Sequence, residues 1–208
     1  MLSLAINTSS TKGSLAIFEN KKLLRSTEWE KDQAKNLSHS ELATPALEEF
    51  FFNHHALKDL NLLICGRGPG SFTGIRVGLS VVKSLAYISH LPILAPDDCF
   101  NIAINSRGHR IDLPIAVMID AQKNSVFCAT YQWQQNQLFA LQEPTLVPLA
   151  ELENYLAASQ YLGLGDGYLH YAPYLSEKIK SKLTRNSDIA DTPSAKCMSE
   201  YLLDYPDQ

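Results

Sequence analysis

The sequence predicts an α/β protein in which one folding unit occurs twice. In Leu2–Trp29, three runs of strand-forming residues are separated by a polar loop and a tight turn, which is typical of a three-stranded meander. The same order returns in Leu113–Glu143, so that Asn7 and Asp120 each end the first strand of a meander. We therefore expect an internal duplication.

A helical segment and a short apolar strand follow each meander. The two short strands are Leu62–Gly66 and Tyr161–Gly165, and both end in glycine. These additions complete two β-β-β-α-β units, which predict lobes at residues 1–104 and 105–208, the second being smaller.

The first helix is predicted over about Asn36–Asn53, with apolar residues at helical spacing and Pro45 marking a kink or a break. Phe50, Phe51 and Phe52 are consecutive and span roughly 200° of the helix circumference, so they cannot all face one core. Either the helix ends there and the rings fold under a loop, or the helix has a second apolar face for another helix.

The second helix, predicted over about Gly74–His90, has two apolar stripes on roughly opposite sides. One side is expected to pack on the sheet of its own lobe, and the other on the first helix or on another protein. Gly74 and Gly78 share one face, and each costs ~1 kcal/mol of helix propensity. Close packing against a partner would offset this cost. A leucine at the more exposed glycine is therefore expected to abolish partner binding and to leave the melting transition near normal.

A glycine loop, "GRGPGSFTGIRVG" at Gly66–Gly78, joins an apolar strand to this helix, which is where phosphate-binding loops occur. A Walker-type loop needs Gly-Lys-Ser/Thr, yet no lysine follows until Lys83, and the dinucleotide fingerprint lacks its third glycine. Ser71 or Thr73 is the predicted N-cap. Arg76 in the first turn opposes the helix dipole. We expect a tight structural turn with a buried salt bridge, and anion binding is the alternative.

Composition and residue spacing argue against several classes of protein: general nucleic-acid binders, membrane proteins, zinc proteins and serine hydrolases. The formal net charge of -4 gives no general attraction to nucleic acid or to anionic membranes, and no apolar run reaches the roughly 18 residues of a membrane span. The four separated cysteines are typical of reduced core thiols, and no two histidines have the i, i+4 spacing of a zinc site. A GxSxG nucleophile turn is absent. We expect a cytoplasmic protein without a metal, a cofactor or a catalytic residue set.

Several stretches together resemble the TsaB (YeaZ) family, the partner of the catalytic TsaD protein in bacterial threonylcarbamoyladenosine modification of tRNA. They are "LSLAINTSS", "NLSHSELATPALEEFF", "LLICGRGPGSFTGIRVGLSVVKSLA" and "VMIDAQKNSVFCATY", with a looser match at "GLGDGY". The resemblance implies a duplicated ATPase fold of the actin-like and Hsp70 type with a degenerate second lobe. It also implies a non-catalytic subunit that binds TsaD and the ATPase TsaE, meets tRNA only through that complex, and forms a homodimer in isolation.

The resemblance places the partner-binding residues on the two helices and the glycine loop: His39, Phe50, Phe51, Gly70, Ser71, Phe72, Thr73, Gly74, Arg76 and Gly78. Asn7 stands where the wider ATPase superfamily has an aspartate that organises metal and water at nucleotide phosphates, and where the resemblance implies that TsaB members usually keep Asp. An amide holds Mg²⁺ less well than a carboxylate. An ATP-dependent phosphotransferase of the same fold and a peptidase are the alternative functions.

Overall fold

The computed structural model describes residues 1–30, 38–53, 57–109 and 111–205, with side chains throughout except at 50–53 and 57. The chain divides into two compact units, Met1–Asp98 with Pro193–Gln208, and Cys99–Thr192. Each unit contains one five-stranded sheet. No helix in the described ranges combines the length and the apolar character that crossing a bilayer requires.

The strands and helices follow the predicted order. The strands are β1 (Leu2–Asn7), β2 (Lys12–Glu19), β3 (Lys22–Glu30), β4 (Leu60–Cys65), β5 (Ile93–Leu94), β6 (Ile115–Asp120), β7 (Ser125–Gln134), β8 (Gln137–Pro148), β9 (Tyr161–Leu164) and β10 (Leu183–Thr184). The helices are α1 (His39–Asn53), α2 (Phe72–Ser89), α3 (Asp98–Ala103), α4 (Leu152–Tyr155), α5 (Asp166–Tyr171), α6 (Glu177–Lys180) and α7 (Ala195–Asp204).

The predicted duplication is confirmed by the topology of the two sheets. The first sheet has the order β3-β2-β1-β4-β5, and the second has the matching order β8-β7-β6-β9-β10. In both, the meander is antiparallel, and its first strand pairs in parallel with the strand that follows the helical segment. Asn7 and Asp120 are the last residues of β1 and β6, so the two loops that follow these strands are equivalent.

The C-terminal helix α7 belongs to the first unit, which differs from the predicted division at residue 104. Its first backbone N–H, at Ala195, donates to the Ser14 hydroxyl oxygen of β2 at 2.9 Å. Met198 and Tyr201 are fully buried. A helix with such an apolar face must cover a sheet, and in the first unit α7 covers β1 and β2.

The helices agree with the predictions in type and differ at their ends. α1 begins at His39, while residues 36 and 37 of the predicted helix lie outside the described residues. Pro45 lies inside α1, which continues to Asn53. Two alternatives were predicted for the rings of Phe50–Phe52, a position under a loop or a second apolar face of the helix. These side chains lie outside the described ones. α2 begins at Phe72, two residues before the predicted start, with Ser71 as its N-cap.

Candidate functional site: the glycine loop and the outer face of its helix

The glycine loop between β4 and α2 is held against the loop that follows β1. The Ser71 N–H donates to the Ser9 carbonyl oxygen at 2.6 Å. The Thr8 hydroxyl donates to the Gly74 carbonyl oxygen at 2.7 Å. A Cβ at Gly74 would overlap the carbonyl oxygen of Thr8, so only glycine allows the two backbones to lie this close. The start of α2 is therefore fixed by its own unit.

Gly74 and Gly78 are not on an exposed face, and this corrects the prediction that they bind a partner. Both are buried, and a Cβ at Gly78 would lie 2.7 Å from the Thr8 hydroxyl oxygen. The close packing inferred from their spacing is present, but it is made with the loop after β1 in the same unit. The physical reason is that a helix covering the end of a strand must turn its smallest residues towards that backbone.

Asn7, at the end of β1, joins the glycine loop to the start of α3. Its Nδ2 donates to Asp98 Oδ1 at 2.5 Å. The other Asp98 oxygen accepts from the Gly68 N–H at 2.6 Å, and the Asp98 N–H donates to the Gly68 carbonyl oxygen at 2.8 Å. Asn7 is 1% exposed and Asp98 is 0% exposed. A buried salt bridge was predicted at the glycine loop. The buried polar pair observed there is the Asn7 amide with the Asp98 carboxylate.

The hydrogen bonds of Asn7 give its amide a structural role. Its Oδ1 accepts from the Ser9 N–H at 3.0 Å and from the Ser9 hydroxyl at 2.9 Å. An amide oxygen has two lone pairs, so these two donors use its capacity to accept. In the described part of the chain, no three His, Cys, Asp or Glu side chains come together as metal ligands. Through its bonds to Asp98 and Ser9, Asn7 stabilises the loop that receives α2.

An Asn7→Asp variant is expected to lose stability as pH rises. Two carboxylates within hydrogen-bond distance cannot both ionise cheaply, so one pKa rises above its value of about 3.9 in the unfolded chain. The penalty is absent below the unfolded pKa, grows as pH rises towards the raised folded pKa, and is constant above it. We expect the variant to lose ~2 kcal/mol of its free energy of unfolding between pH 4 and pH 7, relative to wild type. Urea unfolding at each pH measures this.

The matched control for this variant is the exchange Asn7→Asp with Asp98→Asn. It restores one amide and one carboxylate at the same two positions, and an amide oxygen at position 98 still accepts from the Gly68 N–H. We expect the exchange to recover most of the stability and the wild-type pH profile. A single variant with an unchanged pH profile would contradict the direct pairing of these side chains.

His39 was predicted to bind a partner, but its side chain is 1% exposed. Trp29 Nε1–H donates to its Nδ1 at 3.1 Å. Its Nε2 therefore carries the proton and donates to the Ser10 carbonyl oxygen at 2.7 Å. Because both ring nitrogens are used inside the first unit, His39 positions the start of α1 and does not present a surface.

The exposed side of α2, here called the outer face, comprises eight residues: Phe72, Thr73, Arg76, Ser80, Lys83, Ser84, Tyr87 and Ile88. Phe72, Tyr87 and Ile88 are 73%, 84% and 67% exposed. From Phe72 to Tyr87 the residues follow helical spacing over ~22 Å at 1.5 Å per residue. The outer face is thus a long strip that combines large apolar side chains, two cations and three small hydroxyl residues.

The neighbours of α2 bear on two alternatives left open by the sequence: what lies next to Arg76, and what covers the second apolar side of the helix. The Arg76 guanidinium lies 5.2 Å from the centre of the Phe72 ring, so the observed neighbour of this cation is an aromatic face. Of the second apolar stripe, Val77, Val81 and Leu85 are half-buried and Ile88 is exposed. Leu79, Leu85 and Ala86 of α2 pack with the core cluster that includes Ala43 of α1, so the first helix supplies one cover for α2.

Of the other predicted partner-binding residues, Gly70 and Ser71 are half-buried and Thr73 is exposed. Phe50 and Phe51 lie outside the described side chains. Tyr87 and Ile88 extend the exposed strip beyond the predicted set. For Tyr87, the signal that could have found it is its helical spacing, four residues after Lys83 and eleven after Arg76.

The equivalent loop of the second unit is also closed by its own hydrogen bonds. Asp120 Oδ1 accepts from the Gln122 N–H at 2.7 Å and from the Tyr171 hydroxyl at 3.0 Å. The Asp120 N–H donates to Asp166 Oδ1 at 3.1 Å. Burial raises the pKa of the Asp166 carboxyl, and hydrogen bonds from backbone N–H groups oppose that rise. His170 Nδ1 lies 3.5 Å from Asp120 Oδ2.

The cysteines are poor candidates for nucleophiles. Burial raises the pKa of the Cys65 thiol to about 12, with a smaller contribution from the charge of Asp98. Burial alone raises the pKa of the Cys128 thiol to about 12. The thiolate is the reactive form, so neither side chain supplies it near neutral pH.

Comparisons with known proteins find matches that are named for the threonylcarbamoyladenosine modification of tRNA. The family model described as "TsaD: tRNA N6-adenosine threonylcarbamoyltransferase" matches residues 33–176. The tRNA threonylcarbamoyladenosine biosynthesis protein TsaB of Bacillus subtilis (strain 168) is 32% identical over 102 residues, 49% of this chain and 44% of that protein. The Haemophilus influenzae protein of the same name is 26% identical over 212 residues, 95% of this chain and 83% of its own.

The similarity extends to the whole fold, while some sequence matches are partial. YeaZ from Pseudomonas aeruginosa superposes with a TM-score of 0.79 at 23% identity, covering 96% of this chain and 89% of that chain. The matched segments span less than half of the length of two curated relatives, 44% of the Bacillus subtilis protein and 42% of the Escherichia coli (strain K12) protein. The predicted duplicated fold is confirmed by the matching sheets and by this structural likeness.

Proposed function

Because the chain belongs to the TsaB (YeaZ) family, we propose that it is the non-catalytic partner subunit of the threonylcarbamoyl transferase TsaD. In this function TsaD transfers the threonylcarbamoyl group to a tRNA adenosine, and the chain holds and shapes the enzyme. The small ATPase TsaE docks on the pair, tRNA is met within the complex, and the reaction takes place in the cytoplasm. Without TsaD, the chain forms a homodimer.

The observation that carries this proposal is the outer face of α2. Phe72, Tyr87 and Ile88 expose most of their surface on one helix, and Arg76 lies over the Phe72 ring. Aromatic residues and arginine are the residue types that contribute most binding energy at protein interfaces. A strip with this composition fits a helix of a second protein laid along α2.

The rigidity of α2 also supports a docking role. Its N-terminus is held by the Ser71 cap, by the bond from Thr8 to Gly74, and by the packing of both glycines. A surface that is already ordered loses little conformational entropy on association, which leaves more of the contact energy for affinity. The glycine loop thus serves the interface indirectly, by fixing the helix that carries the outer face.

A non-catalytic role agrees with the chemistry of the two loop clusters. The Asn7 amide donates to Asp98 and accepts from Ser9, and Asp120 accepts hydrogen bonds from Gln122 and Tyr171. These hydrogen bonds hold both side chains against their own unit, as structural residues of the loops that follow β1 and β6. The proposal therefore assigns the transfer chemistry to TsaD.

We expect the purified chain to form a stable complex with its TsaD paralogue and to hydrolyse neither ATP nor peptides by itself. Co-purification of the two proteins from one host, followed by size-exclusion chromatography, measures the first expectation. Steady-state turnover assays on the separate chain measure the second. Failure to associate would refute the partner role. ATP turnover that survives extensive purification and disappears in an Asp120→Asn variant would instead indicate a phosphotransferase.

A further inference from the structure

A cavity in the second unit is lined by groups that the proposed interface does not use. It has a volume of about 350 Å³ and lies between the segment that follows α3 and the turn that joins β7 to β8. Its polar and aromatic lining comprises Ser106, Arg107, His109, Trp133, Gln135 and Asn136. Its volume falls within the range of roughly 300 to 1,000 Å³ that is typical of ligand sites.

The indole of Trp133 is held in place from inside the unit. Its Nε1–H donates to the Ser106 hydroxyl oxygen at 2.8 Å, and that hydroxyl donates to the Ala103 carbonyl oxygen at 2.6 Å. Ser106 is 0% exposed, so this chain of hydrogen bonds does not depend on solvent. The ring is therefore ordered before any ligand arrives, which favours stacking of a planar group.

The charge of the cavity differs from that of the chain as a whole. The chain has a formal net charge of -4, yet none of the described lining residues is acidic. Arg107 and His109 are both exposed, and a guanidinium offers a planar fork of donors that suits a phosphate group. Gln135 and Asn136 add amides, which both donate and accept hydrogen bonds.

An ordered aromatic ring, a cation and amide groups around one small cavity match the chemistry of a nucleotide. Proteins hold unpaired RNA bases by stacking them on aromatic side chains and by hydrogen bonding to their edges, while cations contact the phosphates. We propose that this cavity binds one unpaired nucleotide of an RNA strand, with its base on Trp133 and its phosphate at Arg107. The choice of RNA over a free nucleotide rests on the proposed function, whereas the nucleotide chemistry rests on the cavity.

The first experiment tests the nucleotide chemistry with the chain by itself. The chain has two tryptophans, so ¹⁵N-labelled protein gives two indole N–H signals, assigned with a Trp133→Phe variant. Titration with adenosine monophosphate is expected to shift the Trp133 signal and to leave the Trp29 signal, which is bonded to His39, unchanged. Inorganic phosphate at the same concentration is expected to have a much smaller effect. Equal shifts with phosphate, or no shift of the Trp133 signal, would overturn the proposal.

The second experiment tests the source of the nucleotide with the assembled complex of the chain, its TsaD paralogue and a tRNA transcript. An Arg107→Gln variant is expected to weaken RNA binding about tenfold, the effect of losing one charge-assisted contact. It should also lower the slope of log K against log salt by about 0.7, the value for one phosphate of a single strand. Lys123→Gln is the matched control, because it removes one exposed cation from the same unit away from the cavity.

The outcomes separate this inference from the proposed function. Equal loss in the Arg107→Gln and Lys123→Gln variants would show a general charge effect and overturn the proposal. Adenosine monophosphate binding at Trp133 without any Arg107 effect on RNA would overturn RNA as the source. If the complex with TsaD does not form at all, the proposed function fails, while the titration of the separate chain still decides the nucleotide chemistry. Retention of TsaD by the Arg107→Gln variant confirms that the interface is intact.

Discussion

A Gly74→Ala variant is expected to lose about 3 kcal/mol of its free energy of unfolding, at the upper end of the usual range for overpacking. Helix propensity by itself predicts the opposite, a gain of ~1 kcal/mol. The packing effect wins because the added Cβ would overlap a backbone carbonyl oxygen, that of Thr8, which cannot rotate away as a side chain can. Urea unfolding followed by circular dichroism measures the change. A Gly74→Leu variant is expected not to fold.

Two substitutions on the same helix serve as controls for Gly74→Ala. At Gly78 the added Cβ would meet the Thr8 hydroxyl, a group at the end of a side chain, so Gly78→Ala should cost less, about 1 kcal/mol. Ser80 is exposed, so Ser80→Ala should change stability by no more than about 0.5 kcal/mol. A stabilised Gly74→Ala variant, or equal effects at all three positions, would contradict the packing of α2 on the loop after β1.

A Tyr87→Asp, Ile88→Asp double variant is expected to bind the TsaD paralogue at least about 100-fold more weakly, a loss of about 2.7 kcal/mol. These side chains are 84% and 67% exposed, so the charges remain in water when the chain is unbound. The two carboxylates lie in the last turn of α2 and oppose the helix dipole, so we expect a modest fall in melting temperature and a cooperative transition. At an interface the same charges would be buried without partners, which is the source of the loss. Isothermal titration calorimetry measures the affinity.

The matched control is Tyr174→Asp, which introduces the same charge at a tyrosine that is 77% exposed in the second unit. It should leave the affinity for the paralogue unchanged. Light scattering on the separate chains adds a second readout, since the double variant should be monomeric where the wild type and Tyr174→Asp are dimeric. An unchanged affinity in the double variant, with a normal fold, would show that the outer face of α2 is not the docking surface.

The strands and their duplication could be predicted from the sequence because strand patterns are local. The meanders ending at Trp29 and Glu143 needed only alternation and turn residues within short segments, and their observed order matches. The mismatch of Gly66–Gly78 with the two phosphate-loop motifs could also be found from the sequence, because a motif depends only on which residue stands at each position of a short segment. The Ser71 cap followed from residue type next to an apolar run and is confirmed.

The orientation of the site residues could not be predicted, because it depends on contacts between distant segments. The spacing of Gly74 and Gly78 indicated close packing, but helical periodicity is the same for an inward and an outward face. The inward direction was decided by Thr8, 66 residues earlier than Gly74. In the same way, Asn7 forms a hydrogen bond with Asp98, which is 91 residues away in the sequence. His39 is buried and bonds to Trp29 and Ser10.

The sequence by itself determined which elements form and which nucleotide-loop chemistry is missing, because both follow from the order of neighbouring residues. The tertiary structure decided which residues of α2 face water and which groups line the cavity at Trp133. Those properties arise when segments far apart in the chain pack together, and the free energy of burial depends on what covers a side chain and not on its neighbours in sequence.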